Sequence, residues 1–416
     1  MNTMGSVTVE TTWQIAIDAE VDHVFEQMVE VRRHLHSHPD PSGHEQPTTE
    51  YLREKLVAAG FQPRLGPENR GLIVDSATQH DWCIGLRGDI DALRIHDAKQ
   101  VGYRSRREGL MHACGHDGHT ATLFGAALAL AHAQAADALP PQTSWRAIFQ
   151  PAEETSRGAH EMIDAGAIED LNAILSLHMD PSRPVGTIGI RDGALTASCD
   201  EIEIHIRGRG GHAARPHESI DPIAAAAQLI SSIYLFVPRA TDSHDPVVVT
   251  FGRVVAGDNN NVIPEEVILG GTIRTLDGTT RRQTKDHIVQ LARGVAEASG
   301  TAIDVRYLAG TSAVLNDPDI TNLFRKATAD LLGPGAVQEV ERPSMGGEDF
   351  AHYLDLIPGS MFRLGCASDA KGGAPLHSPE FDLDENALAI GAKILARTAV
   401  MACNPDFQSH KATPHG

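Results

Sequence analysis

Apolar residues in the first third of the chain recur at two different spacings. Within Val21–His36 and Thr48–Ala59 they are mostly three or four positions apart, which predicts two amphipathic helices. Within Gly71–Asp75 and Trp82–Arg87 they form short continuous runs, which is typical of strands buried on both faces of a sheet. The chain therefore begins as helices followed by strands.

Helical and strand patterns continue to alternate up to about residue 193. An Ala-rich helix is predicted at Thr120–Ala135, and strands are predicted at Ser144–Phe149 and Ala173–Leu177, with His178 at the end of the second strand. Strands that alternate with helices predict a mostly parallel α/β sheet with helices on both faces. In such sheets the functional groups lie at the carboxyl ends of the strands.

The same pattern resumes after about residue 311. We expect three further helices: one at Asp317–Leu331, one from the turn SMGGEDF to about Leu356, and one at Asn386–Cys403. A strand is expected at Ser360–Leu364, and an irregular tail beyond Asn404. This C-terminal part is expected to complete the α/β sheet of the first part.

The middle of the chain has a different pattern. Asp200–Ile206 alternates polar and apolar residues, as a half-exposed antiparallel strand does. The predicted order from there on is strand, helix, strand, strand, helix, strand, which is that of a ferredoxin-like α+β unit. A chain of 416 residues also exceeds the size at which one core stops growing. We therefore expect a catalytic domain at 1–193 and 311–416 and an inserted domain at 194–310.

Composition and charge narrow the possible partners. The chain is 41% hydrophobic and carries a formal net charge of −20, so binding to nucleic acid or to an anionic membrane is not expected. We identify no apolar stretch long enough to cross a membrane, and the first twenty residues do not resemble a signal peptide. The five cysteines are scattered, which favours a reducing, cytoplasmic location.

The densest group of chemically active residues lies in the segment GLMHACGHDGHTA, residues 109–121. Thiolate and imidazole are ligands that zinc and its neighbours favour. Cys114 and His116 are two positions apart, so an extended or tightly turned backbone can direct both at one point. Asp117 could hold a ligating imidazole in the right tautomer. The segment predicts a metal site.

Further candidates follow other predicted strands or lie in loops. The five possible metal ligands are Cys114, His116, Glu154, His178 and His377. Five ligands with a bridging thiolate suit two metal ions. Glu153 beside Glu154 would remain free as a general base, which predicts hydrolysis of an amide. Asp89 follows a strand and would support a ligand from behind.

Two other interpretations of Cys114 compete with a dinuclear site. The thiol could be a nucleophile with a histidine base, but His116 is too near in sequence for that role and the two glutamates would have no function. A structural zinc site is also possible, but the paired spacings typical of such sites do not occur. The histidines His34, His36 and His38 are interpreted as a solvated helix end, because no other ligand accompanies them.

The sequence resembles a known family of metal-dependent amidohydrolases and peptidases. The family includes aminoacylases, hippurate hydrolase, carboxypeptidase G and plant auxin-conjugate hydrolases, and the subgroup with a cysteine in the metal site matches best. The resemblance runs from about Arg32 to Ala399. Its motifs here are RGDIDAL, MHACGHDGHTA, FQPAEE, SLHMDP, GGHAARPHESIDPI, NVIP, GGEDF and LHSPEFD.

The resemblance implies two divalent metal ions per chain, zinc or manganese, with cobalt or nickel tolerated. Cys114 would bridge them, and Glu153 would be the general acid and base. By analogy with related peptidases, His116 and His178 would complete the shell of one ion, while Glu154 and His377 would complete that of the other.

The inserted domain would be the family's lid and dimerisation domain. His212 matches a lid histidine that stabilises the oxyanion in a neighbouring subunit's site, so a homodimer or higher homo-oligomer is implied. Arg274 matches the arginine that binds the substrate carboxylate, assisted by Asn261. The chain departs from the family at Arg94, where proline is usual, at Gly347, where many relatives have serine, and in the segment HPDPSGHE, residues 38–45, which replaces the usual HPELSFEE. None of these departures involves a proposed metal ligand, but they could shape the acyl pocket, so they bear on which substrate is bound.

The expected function is hydrolysis of the amide bond of a small N-acyl amino acid. A dipeptidase or carboxypeptidase is the alternative within the family. A catalytically silent, metal-stabilised binding protein is the alternative from another class, against which stands the presence of Glu153.

Overall fold

A computed structural model describes residues 12–78, 80–369, 371 and 373–411 of the chain. Residues 1–11, on which part of the signal-peptide prediction rests, lie outside the described residues. The chain forms two compact units. The larger runs up to Gly193 and includes Leu315–Glu341 and the residues from His352 onward, and the smaller comprises Ala194–Val314 and Arg342–Ala351.

The helices of the described residues are α1 (Thr12–Ser37), α2 (Gln46–Ala58), α3 (His116–Ala135), α4 (Gly158–Asp164), α5 (Pro222–Ala240), α6 (Gly278–Ser299), α7 (Pro318–Leu332), α8 (Ala351–Leu354), α9 (Asn386–Ala402) and α10 (Pro405–Lys411). The strands are β1 (Arg64–Leu65), β2 (Leu72–Asp75), β3 (Cys83–Asp89), β4 (Trp145–Gln150), β5 (Leu171–Pro184), β6 (Ile188–Ile190), β7 (Gly193–Ala194), β8 (Ser198–Arg207), β9 (Gly211–His212), β10 (Val247–Ala256), β11 (Val262–Ile263), β12 (Glu266–Thr275), β13 (Ala302–Thr311), β14 (Leu315–Asn316), β15 (Val337–Glu339) and β16 (Gly359–Ala367).

The larger unit is built on one sheet with the strand order β1-β2-β4-β3-β5-β16-β6-β15. Its centre, β4-β3-β5-β16, is parallel, and the strands β3 and β4 are buried along their whole length. The helices α3 and α9 pack against these strands, and α1 packs on both helices. The predicted mostly parallel α/β fold is confirmed.

The smaller unit is an antiparallel sheet with the order β10-β12-β8-β13. Alternate residues of β8 are buried, including Ile202, Ile204 and Ile206, and they form a core with apolar residues of α5 and α6. The four strands of this sheet and the two helices follow the predicted order of strand, helix, strand, strand, helix, strand, and the short strands β9 and β11, which pair with each other, are additional. That this unit acts as a lid or in dimerisation stays a prediction.

The structure corrects several details of the sequence analysis. The strand β5 extends beyond Leu177 because β16 pairs with it through Asp180, so His178 lies within the strand and not at its end. The tail was predicted to be irregular after Asn404, but Pro405–Lys411 forms α10.

The helix α5 also departs from expectation. It has 19 residues and a mean hydropathy of 1.4, so its length and composition are those of a membrane span, contrary to the sequence prediction. Within the smaller unit, however, one side of the helix, including Leu229 and Ile233, is buried in the core formed with the sheet.

Candidate metal centre

A sharp turn at Gly115 brings Cys114 and His116 to the same place. Gly115 has a φ of 90°, which side chains with a Cβ rarely adopt, and it precedes the first residue of α3. The helix thus begins at His116, four residues earlier than predicted. Both side chains are buried. The His116 Nδ1 atom lies 2.9 Å from the Asp91 carbonyl oxygen, to which it donates, so in the neutral ring the lone pair is on Nε2.

His178 reaches the same place from the strand β5, which pairs with β3. Its Nε2 atom lies 3.5 Å from the Cys114 Sγ atom. Its Nδ1 atom donates to the carbonyl oxygen of Met179 at 2.8 Å, which again directs the lone pair of Nε2 into the site. Burial, with a smaller effect of Arg363, lowers the pKa of His178 well below its ordinary value, so the ring is neutral, as a metal ligand must be.

The two glutamates lie on a tight turn directly after β4. Glu153–Thr155 forms one turn of 3-10 helix between Ala152 and Ser156, which both have left-handed backbone conformations. The backbone N–H of Glu154 donates to Asp91 Oδ2 at 3.1 Å. The Glu154 Oε1 atom lies 3.9 Å from His116 Nε2, and Glu153 Oε2 lies 3.8 Å from it.

His377 completes the group from the loop before α9. Its Nε2 atom lies 3.3 Å from Cys114 Sγ and 3.6 Å from Glu154 Oε1. Its backbone has a φ of 62°, and its N–H donates to the Ala113 carbonyl oxygen at 2.8 Å. That hydrogen bond ties the loop to the residue next to Cys114.

These residues form two sets of three that share Cys114. The first adds His116 and His178, the second adds Glu154 and His377, and the ligand atoms within each set lie within 4.8 Å of one another. Two ligands bound tetrahedrally at about 2.0–2.3 Å from one ion are about 3.5 Å apart. The observed separations from Cys114 fit this value.

The buried atoms left without partners support the same interpretation. Among the described residues, buried side-chain atoms without a hydrogen-bond partner also occur away from the site, as at Thr122 and Trp145, but within the two ligand sets they are His116 Nε2 and Glu154 Oε1. A buried polar atom that neither water nor an ion satisfies costs about 1–3 kcal/mol. Metal ligands are expected to lack such partners, since their lone pairs are reserved for the ion.

His119 also belongs to a set of three possible ligands, with Asp89 and His116. Both of its ring nitrogens are already engaged, however. Nδ1 lies 2.6 Å from Asp89 Oδ1, and Nε2 accepts the backbone N–H of Met179 at 2.8 Å. His119 is thus held between Asp89 and the backbone of Met179, and support of a metal ligand by Asp89 stays a prediction.

The electrostatics of the site argue against a free thiolate. Burial raises the pKa of the Cys114 thiol well above its ordinary value, although His116 opposes this. Burial alone would lower the pKa of His116, but Asp89 and Cys114 outweigh it and raise that pKa, so without an ion the ring favours a second proton on Nε2, which a metal ion would have to displace. A neutral buried thiol is a poor nucleophile, so the arrangement favours metal binding over thiol catalysis.

Asp117 is held by residues that the sequence analysis did not identify. Its Oδ2 atom accepts from Arg32 Nε at 2.9 Å and from His36 Nδ1 at 2.8 Å. The interpretation of His36 as part of a solvated helix end is wrong, since the end of α1 is covered and the ring is fully buried. The four-residue spacing of Arg32 and His36, which puts both on the face of α1 that carries Met28 and Leu35, was the available signal.

His212 and Asn261 are neighbours in the smaller unit. The strand β9, which ends at His212, pairs with β11, and the backbone N–H of Ala213 donates to the Asn261 carbonyl oxygen. His212 Nδ1 accepts the N–H of Ala214 at 3.1 Å, so in the neutral ring Nε2 carries the proton and can donate. Both side chains are exposed and line an open surface pocket with a volume of about 590 Å³.

Arg274 lies elsewhere in the smaller unit, near the end of β12. It pairs in register with Cys199 of β8, and its Nη1 atom donates to the Met345 carbonyl oxygen at 2.6 Å. The side chain is half-buried. One hydrogen bond leaves most of the five guanidinium N–H groups for other acceptors.

Known proteins resemble the chain over nearly its whole length. It is 38% identical to N-acetylcysteine deacetylase of Bacillus subtilis over 377 residues, covering 90% of this chain and 96% of that protein. It is 32% identical to thermostable carboxypeptidase 2 of Saccharolobus solfataricus over 391 residues, covering 92% and 98%. The crystal structure of Bacillus subtilis YXEP, described as a dinuclear metal-binding peptidase of the M20 family, superposes with a TM-score of 0.78 at 34% identity, covering 92% of this chain and 99% of that one.

Peptidase family M20/M25/M40 matches residues 85–401, which include every residue of the two ligand sets. The family match, the relatives and the two sets of candidate ligands agree with one another. The chain therefore belongs to peptidase family M20/M25/M40 and is a metal-dependent hydrolase.

Proposed function

We propose that the protein hydrolyses the amide bond of N-acyl amino acids, with two divalent metal ions bound to each chain. The observation that carries this proposal is the position of Glu153 beside the two ligand sets. Its carboxylate oxygen lies 3.8 Å from His116 Nε2, and the side chain is 10% exposed. A carboxylate held at the edge of a metal site is the arrangement that activation of water requires.

The donor atoms fit zinc or manganese, and cobalt or nickel would also be accepted. Cys114, His116 and His178 would hold one ion, and Cys114, Glu154 and His377 the other. Such ions, when bound, polarise an amide carbonyl group and make water a stronger acid.

The residues of the chain would then move the proton. Glu153 would take a proton from the attacking water and return it to the nitrogen of the leaving amino acid. Asp89, through His119, and Asp117, through the backbone at the start of α3, would keep the ligands in place. The backbone bond from Glu154 to Asp91 would hold the turn on which Glu153 lies.

Three residues of the smaller unit would bind the substrate. His212 would donate from Nε2 to the developing oxyanion, in the site of a neighbouring subunit if the family arrangement applies. The Arg274 guanidinium would bind the α-carboxylate of the substrate, and Asn261 would assist.

An acyl amino acid is favoured over a peptide by the relative whose name states deacetylation of N-acetylcysteine. The carboxypeptidase relative supports the alternative, a peptidase that releases a C-terminal residue. Turnover of acetyl-, benzoyl- and indole-acyl amino acids should be compared with that of dipeptides. Faster turnover of the dipeptides would make the protein a peptidase.

The first test measures the metal content of freshly purified protein and its hydrolysis of benzoyl- and acetyl-amino acids before and after chelation. We expect two ions per chain, loss of activity on chelation and recovery with added metal. The variant E153Q should retain both ions and lose activity by a factor on the order of 10²–10⁴. Unchanged turnover in E153Q would refute the mechanism. Metal content without turnover of any substrate would favour a silent binding protein.

A homodimer in the cytoplasm belongs to the same proposal. The strand β10 is at an edge of its sheet and exposes Val248, Val254 and Val255. Nearby in the sequence, Tyr234 and Leu235 of α5 are exposed too. A second copy of the chain would cover such an edge, which otherwise favours aggregation. Sedimentation of the purified protein tests the dimer, and V254E should give monomers.

The location is supported by the cysteines, since all five are described and free, which fits a reducing compartment.

A further inference from the structure

The turn that carries Glu153 and Glu154 begins with a strained residue. Ala152 has φ 54° and ψ 37°, a left-handed conformation that is costly for a residue with a Cβ atom. Such a conformation persists only where its surroundings hold it. The groups that hold it therefore decide where the two glutamates lie.

The carboxyl side of Ala152 is held by the chain that follows it. Its carbonyl oxygen accepts the N–H of Gly158 at 3.1 Å and the hydroxyl of Thr155 at 3.2 Å. Gly158 could not be replaced by a residue with a side chain without a shift of the backbone, because a Cβ atom there would lie 1.5 Å from the carbonyl oxygen of Pro151.

The amino side of Ala152 is held by a residue 107 positions earlier. The N–H of Ala152 donates to Glu45 Oε1 at 2.8 Å, and the same oxygen accepts the N–H of Gly43 at 3.0 Å. Glu45 is fully buried at the start of α2. Its second oxygen lies 3.4 Å from Arg70 Nη1, and Arg70 Nη2 donates at 2.7 Å to Glu161 of α4, the helix that follows the turn.

A second contact joins the same loop to the site. The hydroxyl of Ser42 donates to Asp91 Oδ2 at 2.6 Å, and that oxygen also accepts the N–H of Glu154. The segment Ser42–Glu45 thus holds the glutamate turn at two points, directly through Ala152 and through Asp91.

We propose that Glu45 is a positioning residue, which fixes the left-handed conformation of Ala152 and thereby places Glu153 and Glu154 for catalysis and for metal binding. The proposal rests on the proposed function for its catalytic part. Its prediction for metal affinity depends only on the position of the candidate ligand Glu154, and that affinity is measured without substrate. What matters is the place of the Glu45 Oε1 acceptor and not the negative charge.

The variants E45Q and E45D separate these two properties. E45Q keeps an oxygen acceptor for Ala152 and removes the charge, and its amide N–H₂ group replaces the oxygen that accepts from Arg70 at 3.4 Å. E45D keeps the charge and withdraws the acceptor by one methylene group. E68Q is the matched control, because Glu68 also contacts Arg70, at 3.4 Å, but is exposed and does not contact Ala152.

We expect E45D to weaken binding of one of two ions, and to lower kcat, each by a factor on the order of 10–100, with little change in KM. E45Q and E68Q should remain close to the unmodified protein in both properties. In the double variant E45D/A152G, glycine adopts the left-handed conformation without the cost of a Cβ, so part of the metal affinity should return.

Metal affinity is measured by titration with a chelator, and kcat and KM with an acetyl-amino acid. Three results would overturn the proposal. The first is an equal loss of metal affinity and kcat in E45Q and E45D, because the charge of Glu45 would then matter. The others are normal metal affinity and kcat in E45D, and a folded E45D/A152G variant whose metal affinity is no higher than that of E45D. If the unmodified protein binds two ions but cleaves no acyl amino acid, the proposed function fails, while the metal titration still tests Glu45.

Discussion

The Nε2 atom of His377 lies 3.3 Å from the Sγ atom of Cys114, although 263 positions of the chain separate the two residues. The same sulfur atom lies 3.5 Å from the Nε2 atom of His178. One thiol therefore contacts both candidate ligand sets, and each set also has ligands of its own. This arrangement predicts different effects for the shared and the separate ligands.

Replacing Cys114 should affect both ions, and replacing one histidine should affect one. We expect C114A to bind neither ion tightly, H178A to lose chiefly the ion held with His116, and H377A to lose chiefly the ion held with Glu154. Elemental analysis after dialysis measures the ions that remain per chain. C83A, which removes a buried thiol away from the site, is the control and should retain both. Equal losses in all four variants would argue against a shared ligand.

Arg274 should matter only for substrates that carry a carboxylate. A lysine keeps the charge but not the planar fork, so R274K should raise KM for an acyl amino acid by on the order of tenfold. Turnover of the corresponding acyl amine, which lacks the carboxylate, should not change. R253K, at an exposed arginine of the neighbouring strand β10, is the control. A similar effect on both substrates would assign Arg274 to the structure of the sheet.

Arg32 should be important for stability because its charge is fully buried among carboxylates. It contacts Asp117 at 2.9 Å, Asp382 at 2.5 Å and Glu385 at 3.2 Å. R32M leaves the Asp117 carboxylate buried with one partner fewer, which typically costs about 3–5 kcal/mol. Chemical denaturation measures the change in the free energy of unfolding.

The adjacent residue provides the control for this prediction. Arg33 contacts Glu385 at 2.6 Å, but about half of its side chain is exposed. An exposed ion pair contributes about 0–1 kcal/mol, so R33M should be nearly neutral. A loss as large in R33M as in R32M would show that burial of the charge is not the cause.

The sequence was sufficient for the fold class because the patterns that predict it are local. Buried strands such as β3 and β4 are continuous apolar runs, and β8 alternates, so each sheet has its own signature. The family was recognised because its motifs contain chemically distinctive residues at fixed spacings, such as Cys114 and His116 on either side of Gly115. The roles given to these residues remain predictions.

What escaped the sequence analysis depends on contacts between distant segments. His36 looked like one of three histidines at a solvated helix end, and only the packing of α1 shows that it is buried against Asp117. Glu45 has no recognisable local signal, because its partner Ala152 is 107 positions away. The strand β5 was predicted to be too short, since its extension is defined by its neighbour β16. Long-range contacts of this kind cannot be read from periodicity.

The last prediction concerns pH and the smaller unit, away from the metal centre. On the face of the sheet opposite the core, His205 Nε2 lies 2.7 Å from Glu203 Oε1, and Nδ1 lies 3.1 Å from Glu266 Oε1. Hydrogen bonds to Glu203 and then to Glu266 raise the pKa of His205 above its ordinary value of 6.5. The protonated ring can donate to both carboxylates at once, whereas the neutral ring can donate to only one.

The sign of the effect on stability follows from this shift. A histidine whose pKa is higher in the folded protein stabilises it fully below the unfolded pKa, near 6.5, and the contribution disappears as the pH rises through the folded pKa. H205Q should therefore destabilise the protein more at pH 6 than at pH 9. Because solvent and salt screen this face of the sheet, the difference should be about 1 kcal/mol or less.

A double-mutant cycle with H205Q and E203Q isolates the pair from its neighbours. Arg207 and Arg253 also approach these carboxylates, at 3.1 and 3.5 Å, so single variants alter several ion pairs at once. The coupling energy of His205 and Glu203, obtained from denaturation of the four proteins, should be larger at pH 6 and should fall with added salt. A coupling that is equal at both pH values would mean that the ring binds the glutamates as a neutral donor, and that its protonation contributes nothing to the stability of this sheet.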